Sequence, residues 1–126
     1  MVYVSNQINT SATIVAPAGA EADYRGIAVK FNENGAVVAA GAGEAAIGVG
    51  IITNPETTPA GVDVDIQVKE IGLCKAGAAI KAGDALAADA AGKLVPATDG
   101  QFVLGTALRA AGAEEFVSLQ ITKYKN

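Results

Sequence analysis

Glycine and other turn-forming residues divide this chain into short runs rich in β-branched and apolar side chains. The run at residues 27–31 leads into Asn34-Gly35, a pair typical of a tight β-hairpin because both central positions of that turn adopt positive φ. A proline-bearing connection at residues 54–61 interrupts the chain again. Short apolar runs bounded by turn residues are typical of strands, so the pattern predicts an all-β fold.

The run at residues 62–69 alternates strictly between apolar and polar side chains. Such alternation is typical of a strand with one buried and one solvated face, which places Val62, Val64, Ile66 and Val68 in the core and Gln67 and Lys69 toward solvent. Asp63 and Asp65 should then point together toward solvent. Two carboxylates on one face could bind a cation or act as a general acid and base, although a solvent-facing strand edge explains them more simply.

The second half of the chain echoes the first. Residues 26–52 placed over residues 83–109, an offset of 57, give seven identities in 27 positions, four of them glycines. The matched glycine pairs are Gly26 with Gly83, Gly35 with Gly92, Gly43 with Gly100, and Gly48 with Gly105. Each pair indicates a turn or a close backbone approach. Residues 64–68 match residues 117–121 in the same way, so we predict a single β-domain at residues 26–126 built from two related units, about 26–69 and 83–122.

Two segments depart from this pattern. Residues 1–25 are largely polar with isolated apolar side chains, and a breaker cluster occupies residues 16–20. We interpret them as an extended N-terminal arm or a pair of edge strands; a frayed terminus is the alternative. Residues 76–91 are alanine-rich, which favours helix, but glycines interrupt them, so we expect at most one short helical turn near residues 78–82.

The chain lacks the residues on which most catalytic and metal sites depend. It contains no histidine, which excludes Ser-His-Asp catalysis, Cys-His catalysis and the usual zinc sites. Its single cysteine, Cys74, cannot form an internal disulfide and is expected to be a small buried hydrophobe. The run Gly41-Ala42-Gly43-Glu44-Ala45-Ala46 fits a dinucleotide fingerprint, but a strand-like run follows where a helix is needed. We predict no enzymatic activity, no cofactor and no metal.

Charge and composition exclude further classes. The net charge is −4 and the nine Lys and Arg residues are scattered singly, which argues against nucleic-acid binding. We find no signal peptide and no apolar run long enough to span a bilayer, so no membrane partner is expected. Alanine contributes 27 of the residues, and such small side chains build a thin core. The chain would benefit from burying more surface against copies of itself or a partner.

Several segments together resemble the decoration (cement) proteins of tailed-phage capsids. They are residues 29–38, residues 46–49, residues 64–68 with Gly72 and residues 75–77, the run Ile80-Lys81-Ala82-Gly83-Asp84-Ala85-Leu86-Ala87-Ala88-Asp89-Ala90-Ala91-Gly92-Lys93-Leu94, and residues 105–108. The similarity extends over about residues 20–122 and lies in the pattern of apolar, glycine and aspartate positions.

The resemblance implies a small barrel or tulip-like β-sandwich of short strands with an extended N-terminal arm. It implies a structural virion protein that binds the outside of an icosahedral shell as a trimer, stabilises it, and has the major capsid protein as partner and no small-molecule substrate. Its location would be the capsid exterior, after synthesis in the host cytoplasm. Candidate contacts, several of them suited to strand addition, are Val2, Tyr3, Val4, Ile8, Ile14 and Tyr24.

Other functions stay open. A tail or baseplate β-module would share the fold but bind tubes or fibres. A carbohydrate-binding β-domain would need aromatic platforms, and only three Tyr and three Phe are available. An enzyme would have to rely on carboxylates such as Asp63 and Asp65.

Overall fold

A computed structural model of the chain describes residues 11–126, which form two five-stranded antiparallel sheets and contain no helix. The first sheet comprises β1 (Thr13–Pro17), β2 (Ala28–Phe31), β3 (Val37–Ala39), β4 (Gly48–Gly50) and β5 (Asp63–Gln67). The second comprises β6 (Glu70–Lys75), β7 (Ala85–Ala88), β8 (Leu94–Pro96), β9 (Phe102–Ala107) and β10 (Phe116–Lys125). The predicted all-β sandwich of short strands is confirmed.

Both sheets have the same strand order. It is β1-β5-β4-β2-β3 in the first and β6-β10-β9-β7-β8 in the second, so each strand of the first sheet has a counterpart five strands later. A parallel bridge between Ala18 and Val37 joins the outer strands of the first sheet, and a bridge between Ala76 and Leu94 does the same in the second. Each sheet is therefore curled until its two edges meet.

Two clusters of buried side chains form the core. One lies within the first sheet and its loops; its members are Ala16, Ala18, Tyr24, Val29, Val37, Val64 and Ile66. The other fills the second sheet and extends onto the first through Ala28, Ala40, Ala46 and Val49. Because this second cluster draws on both sheets, the two sheets pack together through it.

The first sheet includes residues from the segment predicted to be an arm. β1 pairs with β5 along its whole length, from Thr13 opposite Gln67 to Pro17 opposite Asp63. Tyr24 is only 2% exposed, and its hydroxyl donates a hydrogen bond of 2.6 Å to the carbonyl of Ala20. The boundary at residue 25 and the unit limits 26–69 and 83–122 stay predictions, whereas the two sheets divide the chain between β5 and β6.

The alanine-rich segment after β6 contains no helical turn. Ile80 instead pairs with Ala111 in an antiparallel bridge whose two backbone hydrogen bonds measure 2.8 and 3.0 Å. Gly83 then turns the chain with a φ of 91°, a value that helices do not contain. Pairing with a distant segment thus overrides the helix preference of alanine.

The counterpart strands β1 and β6 differ at one position on their outer edge in whether a backbone N–H is present. The N–H of Lys75 on β6 donates a 2.8 Å hydrogen bond to the carbonyl of Gly26, which ties the edge of the second sheet to the first. Lys75 lies opposite Phe116, the first residue of β10, just as Pro17 lies opposite Asp63, the first residue of β5. Pro17 therefore occupies the equivalent place on β1, where proline offers no N–H.

Candidate interaction surface

The residues considered for chemistry do not converge on a site. Asp63 and Asp65 are both exposed on β5, as their alternation predicted, whereas Val62, just before the strand, is 48% exposed and not in the core. Within residues 11–126, no group of three or more His, Cys, Asp or Glu side chains could hold a metal ion. Residues 41–46 lead through a turn into β4, so the helix that would hold a pyrophosphate does not form. No helix in this part of the chain is long and apolar enough to cross a membrane.

Cys74 is a fully buried core residue, as expected. Its Sγ donates a 3.1 Å hydrogen bond to the carbonyl of Gly26. Burial raises the pKa of the Cys74 thiol to about 12. The thiol is therefore neutral at physiological pH and has neither the charge nor the access that a nucleophile requires.

The six candidate contact residues fall into two groups. Val2, Tyr3, Val4 and Ile8 lie outside the described residues. Ile14 and Tyr24 are described and pack with the cluster in the first sheet, Ile14 partly buried and Tyr24 within the cluster. The side chain of Tyr24 is therefore occupied inside the fold, and partner contact by these residues stays a prediction.

The outer side of β6 and β10 has six positions, which we call the apolar face because three of them carry large exposed apolar side chains. Cross-strand register sets its six members opposite one another in three pairs: Lys75 with Phe116, Leu73 with Ser118, and Ile71 with Gln120. Ile71 is 56% exposed, Phe116 44% and Leu73 36%. Large apolar side chains gathered on one sheet face are typical of an interaction surface.

Two adjoining grooves border the apolar face. One, of about 280 Å³, is lined by Asp23, Arg25, Ile52, Leu73, Lys75 and Phe116. The other, of about 260 Å³, shares Ile52 and Leu73 with it and continues along β6 toward Ile71. Ile52 is itself 49% exposed, so it extends the apolar surface from the second sheet onto the first.

Charged groups flank this surface at one end. The ammonium of Lys75 lies 5.9 Å from the centre of the Phe116 ring, within range of a cation–π interaction. Arg25 forms an ion pair of 2.7 Å with Asp23, and the hydrogen bond from Arg25 lowers the pKa of that carboxyl. Among the described residues Lys75 has no ion pair, so its charge is available to a partner.

The first sheet presents the equivalent surface with different side chains, which we call the acidic face. Its three pairs are Pro17 with Asp63, Val15 with Asp65, and Thr13 with Gln67. Val15 is 60% exposed, and both aspartates face solvent. The same backbone thus carries two carboxylates in the first sheet and a large apolar surface with one ammonium in the second.

The fold resembles a phage head-fiber base. The crystal structure of the N base of the head fiber gp8.5 in bacteriophage phi29 matches with a TM-score of 0.67 and 24% sequence identity, over 87% of this chain and 92% of that chain. No family model matches the chain, and no curated protein matches it in sequence. The likeness establishes the fold.

The apolar face was missed in the sequence. Ile71, Leu73 and Phe116 lie about 45 residues apart at the extremes, and only the β6–β10 register brings them together. The signal was the alternation in residues 70–75, where exposed Ile71 and Leu73 flank buried Gly72. Leu73 and Ser118 can be compared with Val15 and Asp65 only when β1 and β6 are matched as counterparts.

Proposed function

We propose that this chain is a structural, non-enzymatic protein of a tailed-phage head that attaches to the outside of the capsid. The observation that carries the proposal is the likeness in fold, over 87% of the chain, to the base of a phage head fiber. The sequence resemblance to capsid decoration proteins points to the same surface of the same particle. The chain would be made in the host cytoplasm and reside on the virion exterior.

The described surface suits binding through a broad contact area. Its grooves are mainly apolar and adjoin the broad face of a sheet, and its exposed carboxylates on β5 are solvated. A specific interface takes about 800 Å² from each partner, which a face and its flanking loops can supply. Several copies that hold one shell gain avidity without strong individual contacts.

The finer part of the proposal concerns partners and arrangement. We infer that the major capsid protein is the partner, that the copies associate as a trimer, and that the bound protein cements the shell. The N-terminal segment with Val2, Tyr3, Val4 and Ile8 would contact the shell by strand addition, with Ile14 next to it on β1. Tyr24 would serve indirectly, because its hydrogen bond to Ala20 fixes the chain that leaves β1.

A mixing experiment tests this function. Purified protein is incubated with undecorated, expanded shells and imaged by electron microscopy, and the shells are then heated. We expect added density at symmetry-related positions and a shell that withstands a higher temperature than the bare one. Shells that stay bare at saturating protein, or binding to tail tubes instead, would contradict the proposal.

A variant tests the N-terminal contact separately. Residues 1–10 are replaced by a Gly/Ser segment of equal length, which leaves every described residue unchanged and removes the apolar side chains. We expect the variant to fold with an unchanged circular dichroism spectrum and to lose attachment. Undiminished attachment would move the contact to another surface.

The likeness to a head-fiber base favours a second candidate, an anchor for a longer fibre. In that case the protein would occupy the shell without raising its thermal resistance. The heating arm of the mixing experiment distinguishes the two roles.

A further inference from the structure

The two sheets provide an internal comparison of what the fold requires. The acidic face and the apolar face occupy identical places in identical strand orders, with the same cross-strand pairing. Asp63 and Asp65 at two of these positions are compatible with the strand, so the fold does not require Phe116 and Ser118 at theirs. The ring of Phe116 packs over Gly26 but stays 44% exposed, and Ile71 is 56% exposed, so folding leaves much of this apolar surface uncovered.

The two faces are complementary in charge. The six positions of the acidic face carry two carboxylates and no cation, whereas the six positions of the apolar face carry the ammonium of Lys75 and no carboxylate. Lys75 has no ion pair within residues 11–126, whereas Arg25 in the same groove is paired with Asp23, so Lys75 carries the unpaired positive charge at this end of the groove.

The two faces are also complementary in their apolar content. Val15 is the most exposed large apolar residue among the described ones at 60%, and Pro17 lies beside it on β1. These two side chains can cover Leu73 and Phe116 while the carboxylates of Asp63 and Asp65 approach Lys75. Apolar contact at the centre with opposite charges at one side is the usual composition of a specific interface.

We propose that the apolar face of one copy docks onto the acidic face of a second copy of this chain. The inference rests on the part of the proposed function in which copies associate, and it names the surfaces that meet. The carboxylates belong to one copy and the ammonium to the other. The contact therefore joins two different surfaces and sets the orientation of each copy relative to the next.

The first test replaces Phe116 with Asp, the residue at the equivalent place in the first sheet. Because Asp63 occupies that place in the same strand geometry, we expect Phe116→Asp to fold. The matched control is Phe31→Asp, since Phe31 is 42% exposed and lies outside both faces. Sedimentation equilibrium should show at least about a tenfold weaker association for Phe116→Asp and an unchanged association for Phe31→Asp.

The second test exchanges the charges. Lys75→Glu alone and the double variant Asp63→Lys with Asp65→Lys alone should each associate more weakly than the wild type. An equimolar mixture of the two should regain association, because the altered acidic face of one then meets the altered apolar face of the other. A shared folding defect would not be repaired by mixing.

The outcomes separate this inference from shell attachment, because the association is measured without shells. A wild-type protein that stays monomeric at high concentration overturns the inference, whether or not it binds shells. So does equal association of Phe116→Asp and the wild type. If the wild type is monomeric and Phe116→Asp loses only shell binding, the apolar face belongs to the capsid and the proposed function stands.

Discussion

Asn54 ties the long loop between β4 and β5 to the strand that follows it. Its side-chain amide donates to the carbonyls of Ile51 and Asp65 at 2.8 and 2.9 Å, and its oxygen accepts from the N–H of Asp65 at 2.9 Å. The residue is only 5% exposed, and the N–H of Asp65 would be left without its partner if the amide were removed, whereas the carbonyls of Ile51 and Asp65 would keep bonds from the N–H groups of Asn54 and Ile51.

Replacing Asn54 with Ala should therefore lower the free energy of unfolding by about 2 kcal/mol, because the N–H of Asp65 loses its partner and two carbonyls each lose one of their two donors. Urea denaturation followed by circular dichroism measures the change. The matched control is Asn34→Ala, an exposed turn residue, which should shift stability by less than about 0.5 kcal/mol. Equal effects of the two substitutions would contradict the role given to the amide.

Cys74 makes the stability of the protein depend on pH in a defined direction. Burial raises the pKa of its thiol from an ordinary value of 9.0 to about 12. Below pH 9 the thiol is protonated in both states and the stability is fully present. Above that the unfolded thiol ionises first, so stability falls with rising pH until the folded thiol also ionises near pH 12.

We expect the free energy of unfolding to fall by about 1 kcal/mol between pH 8 and pH 10 because of this thiol. The difference should disappear in Cys74→Ala, a variant that takes its residue from Ala16, the equivalent place on β1. Urea titrations of both proteins at the two pH values provide the measurement. A slope that is the same in the variant would assign the effect to other groups.

At the scale of single elements, β4 and β9 each contain a glycine that lies too close to the backbone of the neighbouring strand for a side chain to fit. A methyl group built on Gly48 would overlap the carbonyl oxygen of Gln67, and one on Gly105 would overlap that of Gln120. The sequence already matched these two glycines and predicted a turn or a close approach at such pairs.

Gly105→Ala should accordingly lower the free energy of unfolding by about 2 kcal/mol or more, since the strands must separate to admit the methyl. At Gly112, by comparison, a methyl would meet nothing closer than 3.5 Å, so Gly112→Ala is the matched control. Thermal denaturation of both variants checks the prediction. A Gly105→Ala protein as stable as the control would show that β9 and β10 can move apart at little cost.

Local patterns predicted the hairpins and the alternating strands. Gly35 has a φ of 79° and its counterpart Gly92 has 80°, but Asn34 does not have a positive φ, so the expectation of positive φ at both residues of the Asn-Gly pair is wrong at Asn34. The loop is longer than two residues, because the N–H of Asn32 donates to the carbonyl of Ala36. The place of β1 could not be read in the same way, because its pairing partner Gln67 lies 54 residues from Thr13 and no local signal specifies a contact of that range. The counterpart strand β6 was missed because the offset between counterparts changes from 57 residues to 58 there. The identical residues Ala18-Gly19-Ala20 and Ala76-Gly77-Ala78, directly after the two strands, mark the match at the new offset.

At the scale of the whole molecule, two sheets with the same strand order carry different side chains on their outer surfaces. The cores of the two sheets use corresponding positions, with Val64 and Ile66 in the first matched by Val117 and Leu119 in the second. The solvent-facing positions of the same strands have diverged into the two faces. The core counterparts stay apolar even where the residue changes, as Ile66 and Leu119 show, whereas the outer positions differ in charge and polarity.

The proline on the outer edge of β1 has a consequence for a protein that would crowd onto a particle in many copies. Exposed strand edges can pair with strands of other molecules, and crowding favours the aggregation that results. On β6 the equivalent amide of Lys75 is already satisfied by Gly26, and on β1 Pro17 removes it altogether. At this position on both edges, a neighbouring molecule therefore finds no free N–H with which to extend the sheet.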